Sequence, residues 1–373
     1  MLASQLGIRL VLWMGATVPV PAPYELLQAL QSVEVTNDSE TGDGFQMTFQ
    51  MQKDRTLDYP LLTSSVLQPD TRVVVGALMG VLPEVLIDGV IEHQQFRTDP
   101  SSGATLTVTG KDVTSVLDRE EKNEPYPNQP DFVIVTRILL GYPQYGLVPD
   151  VRPTTDVPIM IDRIPRQQET DLAFIRRMAE RNGYVFYIEP LTFGVNRAYF
   201  GPETRLSLPQ PALTQGMGPA TNVTSLSFSH DALDPVGTEG LFVDPFFKLS
   251  LPIPALPSLK IPPLAASPSR PRRTRKTRDT ANQNPARAAT TAVAAATNAP
   301  DAVTGDGELD AARYGRVLRA RRLVGVRGAG LTYDGFWYVR GVTHQIDPGA
   351  GTYTQRFRIS REGTGTLTPV VAP

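Results

Sequence analysis

The stretch TDLAFIRRMAERNGYVFYIEP, residues 170–190, decides how the rest of the chain is read. Thr170 is a good N-cap, because its hydroxyl can accept a hydrogen bond from an amide of the first helical turn. Asp171 follows where a negative charge opposes the helix dipole. Leu172, Ile175, Met178 and Ala179 then fall on one apolar stripe, widened by Phe174, while Arg176, Arg177, Glu180 and Arg181 cover the other side. Gly183 suits the left-handed position that ends a helix. Tyr184 to Ile188 are aromatic or β-branched and predict a strand. The stretch is a short amphipathic helix that turns directly into a buried strand.

Toward the N-terminus the period changes from helical to two. Ile8, Leu10, Leu12 and Met14 alternate with Arg9 and Val11, as do Val33 and Val35 with polar neighbours. Phe45, Met47, Phe49 and Met51 alternate with Gln46, Thr48 and Gln50, which sends one row into a core and the other outward. TRVVVGALMG (71–80), VLIDGVIEHQQF (85–96) and GATLTVTG (103–110) continue the pattern, with a turn expected over Asp99, Pro100, Ser101, Ser102 and Gly103. Five or six such strands predict a small barrel or sandwich, with the barrel preferred because closure removes exposed edges. After Gly110, Val113, Val116 and Leu117 take helical spacing, with Asp112 as the candidate cap. In DFVIVTRILLGY, Val133, Ile134, Ile138 and Leu139 can share a helix face, although the β-branched run leaves a strand open.

Toward the C-terminus, Val223, Leu226 and Phe228 predict a strand within 221–232. The composition then shifts to LPIPALPSLKIPPLAASP, a basic run and an Ala/Thr/Asn tract. Prolines fix φ and remove amide donors, so no regular element is expected in the first part, and the whole of 250–310 reads as a flexible or extended insertion. Order is expected again near Tyr314. GRVLRARRLVG, LTYDGFWYVRGVTHQI and TYTQRFRISREG read as strands, with Phe336, Tyr338 and Val342 on one parity and Trp337, Val339 and Gly341 on the other. DPGAG (347–351) predicts a hairpin turn, and the tail TGTLTPVVAP is expected to fray.

The bulk properties narrow the function classes. A 373-residue chain with 41% hydrophobic and 20% charged residues can bury two or three cores. It has no cysteine, which excludes disulfides, thiolate metal sites and cysteine nucleophiles. Assembly in a reducing cytoplasm fits that absence. The net charge of -2 gives no electrostatic case for wrapping nucleic acid. The N-terminus lacks the leading charge and unbroken apolar run of a signal peptide, and no window has the length of a membrane span.

LTVTGKDVTSVLDRE, ETDLAFIRRMAERNGYVFYI and WYVRGVTHQIDPGAGTYTQRFRISREG, in this order, resemble the hub family of contractile injection machines. That family includes the late control protein D of P2-like phages, the hub of T4-like baseplates and the N-terminal part of valine-glycine repeat protein G spikes. The phrases look like its first strand-to-helix junction, its helix-to-aromatic-strand signature and its closing hairpin. The resemblance implies a mainly β fold with an α/β middle region and two small β-barrel hub domains. A homotrimer would then present a pseudo-sixfold ring. The implied divisions are a first barrel over 1–110, a middle region over 111–220 and a second barrel over 221–249 and 311–363. The insertion at 250–310 lies outside the family pattern, and 364–373 is a C-terminal tail. Thr107, Val108 and Thr109 would lie in the first barrel, with Asp112 opening the next helix. Asp171, Phe174 and Gly183–Tyr187 would belong to the middle region, and Trp337, Val339, His344, Phe357 and Ile359 to the second barrel.

The resemblance implies a structural baseplate hub, not an enzyme, built in the cytoplasm into a phage virion or phage-like injection particle. Its partners would be an inner tube or tube-initiator protein, a separate trimeric spike protein and baseplate wedge components. The separate spike is expected because the sequence carries no repetitive β-helical tail after the closing hairpin. The hub of a non-contractile tail and a spike-associated cell-wall hydrolase are the alternatives.

No catalytic, cofactor or metal residue is assigned. His344 reads as an ordinary strand histidine, and His93 and His230 stand apart from it with no ligand spacing. Asp118, Glu120, Glu121 and Glu124 read as a charged helix end followed by loop rather than a glycosidase pair, which needs two carboxylates across a cleft. Arg270, Arg272, Arg273, Arg275, Lys276 and Arg278 are the one candidate for phosphate contact. Without interleaved aromatics they offer no stacking platform, and they read as a solvated arm or docking tether.

Overall fold

The computed structural model describes residues 9–16, 18–54, 58–79, 83–99, 103–156, 158, 164–233, 236–243, 250–253, 260–277 and 285–368. The expected alternation produces the first half. Its strands are β1 (Arg9–Gly15), β2 (Val20–Pro21), β3 (Leu30–Asp38), β4 (Gly44–Met51), β5 (Arg72–Leu78), β6 (Pro83–Asp99) and β7 (Gly103–Asp112), with a short helix α1 (Tyr24–Ala29) before β3. Leu12, Met14, Val33, Val35, Met47, Phe49, Leu106 and Val108 are buried in one core, so the sheet rolls around a single apolar interior. Ile8 and the turn residues Pro100, Ser101 and Ser102 lie outside the described residues. Where β6 and β7 approach, the Phe45 ring lies over Gly89 and Gly110, and a side chain at either would strike that ring and a facing carbonyl.

The middle region is α/β, as expected, with local differences. Val113–Asp118 is a 3-10 helix instead of an α-helix. Asp112 stands at its N-cap position, and the Thr114 hydroxyl hydrogen-bonds its carboxylate. Residues after Asp118 form β8 (Glu121–Pro125) rather than loop, paired antiparallel with β10 (Arg166–Thr170). The helix α2 (Asp131–Leu139) resolves the ambiguity of that run. It buries Val135 with Ile134, Ile138 and Leu139, whereas Val133 is 37% exposed, because a helix face collects positions three and four apart. Helix α3 (Asp171–Asn182) starts at Thr170, whose hydroxyl accepts from the Ala173 amide, and ends at left-handed Gly183. The strand after it, β11 (Val185–Thr192), pairs with β12 (Val195–Gly201), which lies parallel to β9 (Leu147–Val151). The predicted stripe of α3 packs with α2, Ile188 and Phe200 into a second core. Arg181 and Asn182 both hold the buried Asp131 carboxylate and tie α3 to α2.

The second half departs most from expectation. Its strands are β13 (Gln210–Thr214), β14 (Val223–His230), β15 (Val236–Val243), β16 (Ser250–Ile253), β17 (Ala265–Pro268), β18 (Arg273–Thr277), β19 (Val303–Asp310), β20 (Leu323–Arg327), β21 (Gly335–Asp347), β22 (Thr352–Arg361) and β23 (Gly363–Thr366). Helices α4 (Pro285–Thr297) and α5 (Ala311–Tyr314) complete it. Regular elements therefore occupy parts of 250–310. Order returns at Val303, because β19 inserts between β14 and β22 of the main sheet. β19 reads VTGDGELD, whose glycines let Phe228 and Phe357 close over it in place of its own side chains. The tail contributes β23, paired with β17. β13, within the range expected to be middle region, joins the main sheet through β20. Of GRVLRARRLVG only Leu323 onward is strand. A bulge between Val339 and Gly341 shifts the parity of β21, so Val342 joins Trp337 and Val339 in the third core while Phe336 and Tyr338 face Leu264 and Leu323.

Among the described residues, backbone pairing runs on from half to half. The order is β14-β19-β22-β21-β3-β4-β7-β6-β5-β1-β2, with β20 and β13 branching from β21. The architecture is mainly β with an α/β middle region. Among the described residues no helix is long and apolar enough to cross a membrane.

Candidate functional site

The seam between the halves is the antiparallel pair β21–β3, in register from Gly341–Asp38 to Ile346–Val33. Across it the Thr36 and Thr343 hydroxyls lie 3.3 Å apart. Arg358 of β22 reaches the Asp38 carboxylate at 2.8 Å, and Arg321 holds Asp43 through two contacts of 2.6 and 3.0 Å. Nothing local in the sequence signals this pairing, which joins residues some three hundred positions apart.

Beside the seam a buried ionic network binds the middle region and the 260–268 segment to the second half. Asp301 contacts Arg340 at 2.6 Å, Arg205 and Lys260 at 3.2 Å, and accepts from the Ser360 hydroxyl at 2.6 Å. Glu203 pairs with both Arg205 and Arg340. Glu362 takes Arg205 and accepts from the Leu264 and Ala265 amides. Burial pushes the Asp301 carboxyl up, but Lys260, Arg340 and Arg205 outweigh it and hold it well below the usual carboxylate range. The segment read as an open insertion is therefore anchored through Lys260, Leu264 and Ala265. Farther along, Asn298 donates to the Glu180 carbonyl at the end of α3.

Of the strands that pair on one side only, two flank a continuous antiparallel run. β14 pairs with β19 on one side, and among the described residues its other side has no backbone partner. The outer part of β6, His93–Asp99, pairs with β7 and likewise has no backbone partner on its far side. Most side chains along both are exposed. From β14 to β6 the sheet runs through eight strands, each antiparallel to the next.

The residues singled out in the sequence do not converge. His344 is buried in β21 and its Nδ1 lies 2.8 Å from the Tyr353 hydroxyl. Burial, aided by the charge of Arg319, pushes its imidazole down to about 3, so it is neutral and a weak base. His93 is exposed in β6, and His230 meets the Ser269 hydroxyl at 3.0 Å. Among the described residues no three His, Cys, Asp or Glu side chains gather as a metal site. Asp118 accepts from the Thr170 hydroxyl at 2.6 Å, while Glu121 and Glu124 stand exposed along β8. Arg270, Arg272 and Arg273 are exposed, β18 carries the run through Thr277, and Arg278 lies outside the described residues. Thr107, Val108 and Thr109 lie in β7, Trp337, Val339 and His344 in β21, and Phe357 and Ile359 in β22.

No family profile and no curated protein matches the sequence. Solved structures do match the fold over nearly its whole length. A tail protein from Neisseria meningitidis superposes with a TM-score of 0.64 at 15% identity, covering 98% of this chain and 100% of that one. The 43 kDa tail protein of prophage MuSo2 from Shewanella oneidensis gives 0.60 at 15% identity, covering 95% and 98%. An E. coli component of the type VI secretion system, itself similar in structure to T4 bacteriophage tail proteins, gives 0.54 at 15% identity, covering 92% and 77%. The chain thus has the fold shared by phage tail proteins and this secretion component, in agreement with the hub-family resemblance of its three sequence phrases.

Proposed function

We propose that this chain is a structural baseplate hub that closes as a homotrimer around an axial channel. The ring would join an inner tube, or a tube-initiator protein, to a central trimeric spike in a contractile phage tail or phage-like injection particle. Baseplate wedge components would surround it, after assembly in the cytoplasm. Its role is mechanical, holding partners in register and transmitting thrust, and no catalytic step is assigned to it.

One observation carries the reading. The eight-strand run is flanked by two open edges of opposite direction, β14 at one end and the outer part of β6 at the other, while the inner part of β6 pairs on to β5. A β6 edge meeting the β14 edge of the next copy continues the antiparallel alternation, as β21 and β3 do within the chain. That contact is head-to-tail, and head-to-tail contacts close into rings when the rotation permits. It also covers edges that are otherwise a liability. The full-length match to tail proteins supports the same reading.

Like charges placed on both lips test it. Gln95→Lys on β6 and Ser227→Lys on β14 together should convert trimers into single copies, with the far-ultraviolet spectrum unchanged. Each alone should weaken association less. Trimers that persist in the double variant would remove the edge-to-edge closure.

A further inference from the structure

A groove of about 420 Å³ lies where the outward face of the first half meets the middle region. The carboxylates of Asp43, Asp112 and Asp118 line it with those of Glu34 and Glu92, against two cations, Lys111 and Arg176. Several of these charges are already engaged. Asp43 is held by Arg321, Asp118 by the Thr170 hydroxyl, and Glu92 faces Lys111 at 3.5 Å. Asp112 is different. It is 5% exposed, has no ion-pair partner within 4 Å among the described residues, and hydrogen-bonds the Thr114 hydroxyl. Beside it Ser115 is 8% exposed, lines the same groove, and among the described residues its Oγ has no hydrogen-bond partner. A buried hydroxyl left unsatisfied costs about 1–3 kcal/mol, so a groove that keeps one next to an unneutralised carboxylate is built for an incoming donor.

We propose that this groove receives the guanidinium or ammonium head of a basic side chain carried by a partner protein, bound by the Asp112 carboxylate and the Ser115 hydroxyl. A donor with several N–H groups satisfies both acceptors at once, which a hydroxyl or an amide cannot do with equal charge complementarity. The low-dielectric setting strengthens the direct attraction, against the cost of stripping water from both ions. Burial, and then the neighbouring Asp43 carboxylate, push the Asp112 carboxyl up to about 7, against the opposing pull of Arg321. Lys111, Asp118, Arg176, Glu34 and Glu92 are the other charges that face the groove, and all are farther into solvent or already paired. A bound cation requires the ionised carboxylate, so protons compete with the ligand as the pH falls through about 7.

The test uses the full chain and a short acetylated, amidated peptide with a single arginine, beside the same peptide with neutral citrulline. Calorimetry should show the arginine peptide binding at pH 8 and the citrulline peptide failing to bind. Affinity for arginine should fall about tenfold from pH 8 to pH 6 as Asp112 takes up its proton. Asp112→Asn should abolish both the binding and its pH dependence, and Ser115→Ala should weaken binding several-fold while leaving the pH profile. Equal binding of the two peptides, no binding by the unaltered chain, or a pH profile that survives Asp112→Asn would overturn the proposal. The peptide is read on the isolated chain, so ring closure and this site succeed or fail separately.

Discussion

The two β halves solve the same packing problem with different materials. In the first, alternation fills the interior, and a buried ion pair, Arg72 with Asp88, keys it to Tyr145 and Asn196 of the middle region. Met47, Phe49, Val33, Val35, Leu106 and Val108 are buried with nothing polar required of them. In the second, the β19–β22–β21 sheet has its own apolar core around Trp337, Val339 and Phe357, but it is also bolted to the middle region by Arg205, Glu203, Asp301, Arg340 and Glu362. An apolar core is non-directional and tolerates repacking. A buried ionic network fixes one arrangement, because removing any partner strands another charge. Both halves are keyed to the middle region by buried ions, but the second relies on the larger network, of five charged side chains against two.

The largest expected effects test that division. Phe49→Ala should cost about 3–5 kcal/mol through the cavity it leaves, measured by denaturant unfolding. Asp301→Ala should cost about as much, roughly 3–5 kcal/mol, for the opposite reason, since Arg205, Arg340 and Lys260 lose their shared counter-charge. Hydrogen exchange separates the two. Phe49→Ala should raise exchange in β4 and β7, and Asp301→Ala in β19 and β22. Uniform loss of protection in both variants would erase the distinction between halves.

A smaller effect comes from pH. His344 lies in β21 at the seam, and its folded value, about 3, lies below the ordinary 6.5. A histidine held neutral contributes stability that is complete above its unfolded value and is lost as pH falls from there toward about 3. Stability should therefore drop through that window, and His344→Gln should flatten the slope there. An unchanged slope in the variant would remove His344 as its source. The smallest effect belongs to the seam hydroxyls. Thr36→Val with Thr343→Val removes both members of one part-buried contact and should change stability by about 1 kcal/mol or less.

Legibility in the sequence followed the same line. Phe45 to Met51 announced their strand because one buried row alternates with an exposed one. Thr170 to Ile188 announced a helix, its cap, its stop and the next strand because every one of those signals is local. β19 was not legible, since Gly305 and Gly307 replace the apolar row that would have marked it and the neighbours' aromatics fill the space. The bulge that turns Val342 onto the face of Trp337 is set by pairing with β22 rather than by its own residues. The Pro-rich segment looked open because its anchors, Lys260 and the Leu264 and Ala265 amides, meet Asp301 and Glu362 only after folding. For the same reason Asp112 read as a helix cap, and Ser115 as nothing in particular.

The central claim is closure of this sheet, copy to copy, into a ring of three. Light scattering of the purified chain, alone and mixed with the proposed tube and spike partners, measures that directly. A particle of three copies, about three times the 40.7 kDa of one chain, is the predicted result. A single copy in every mixture would contradict it.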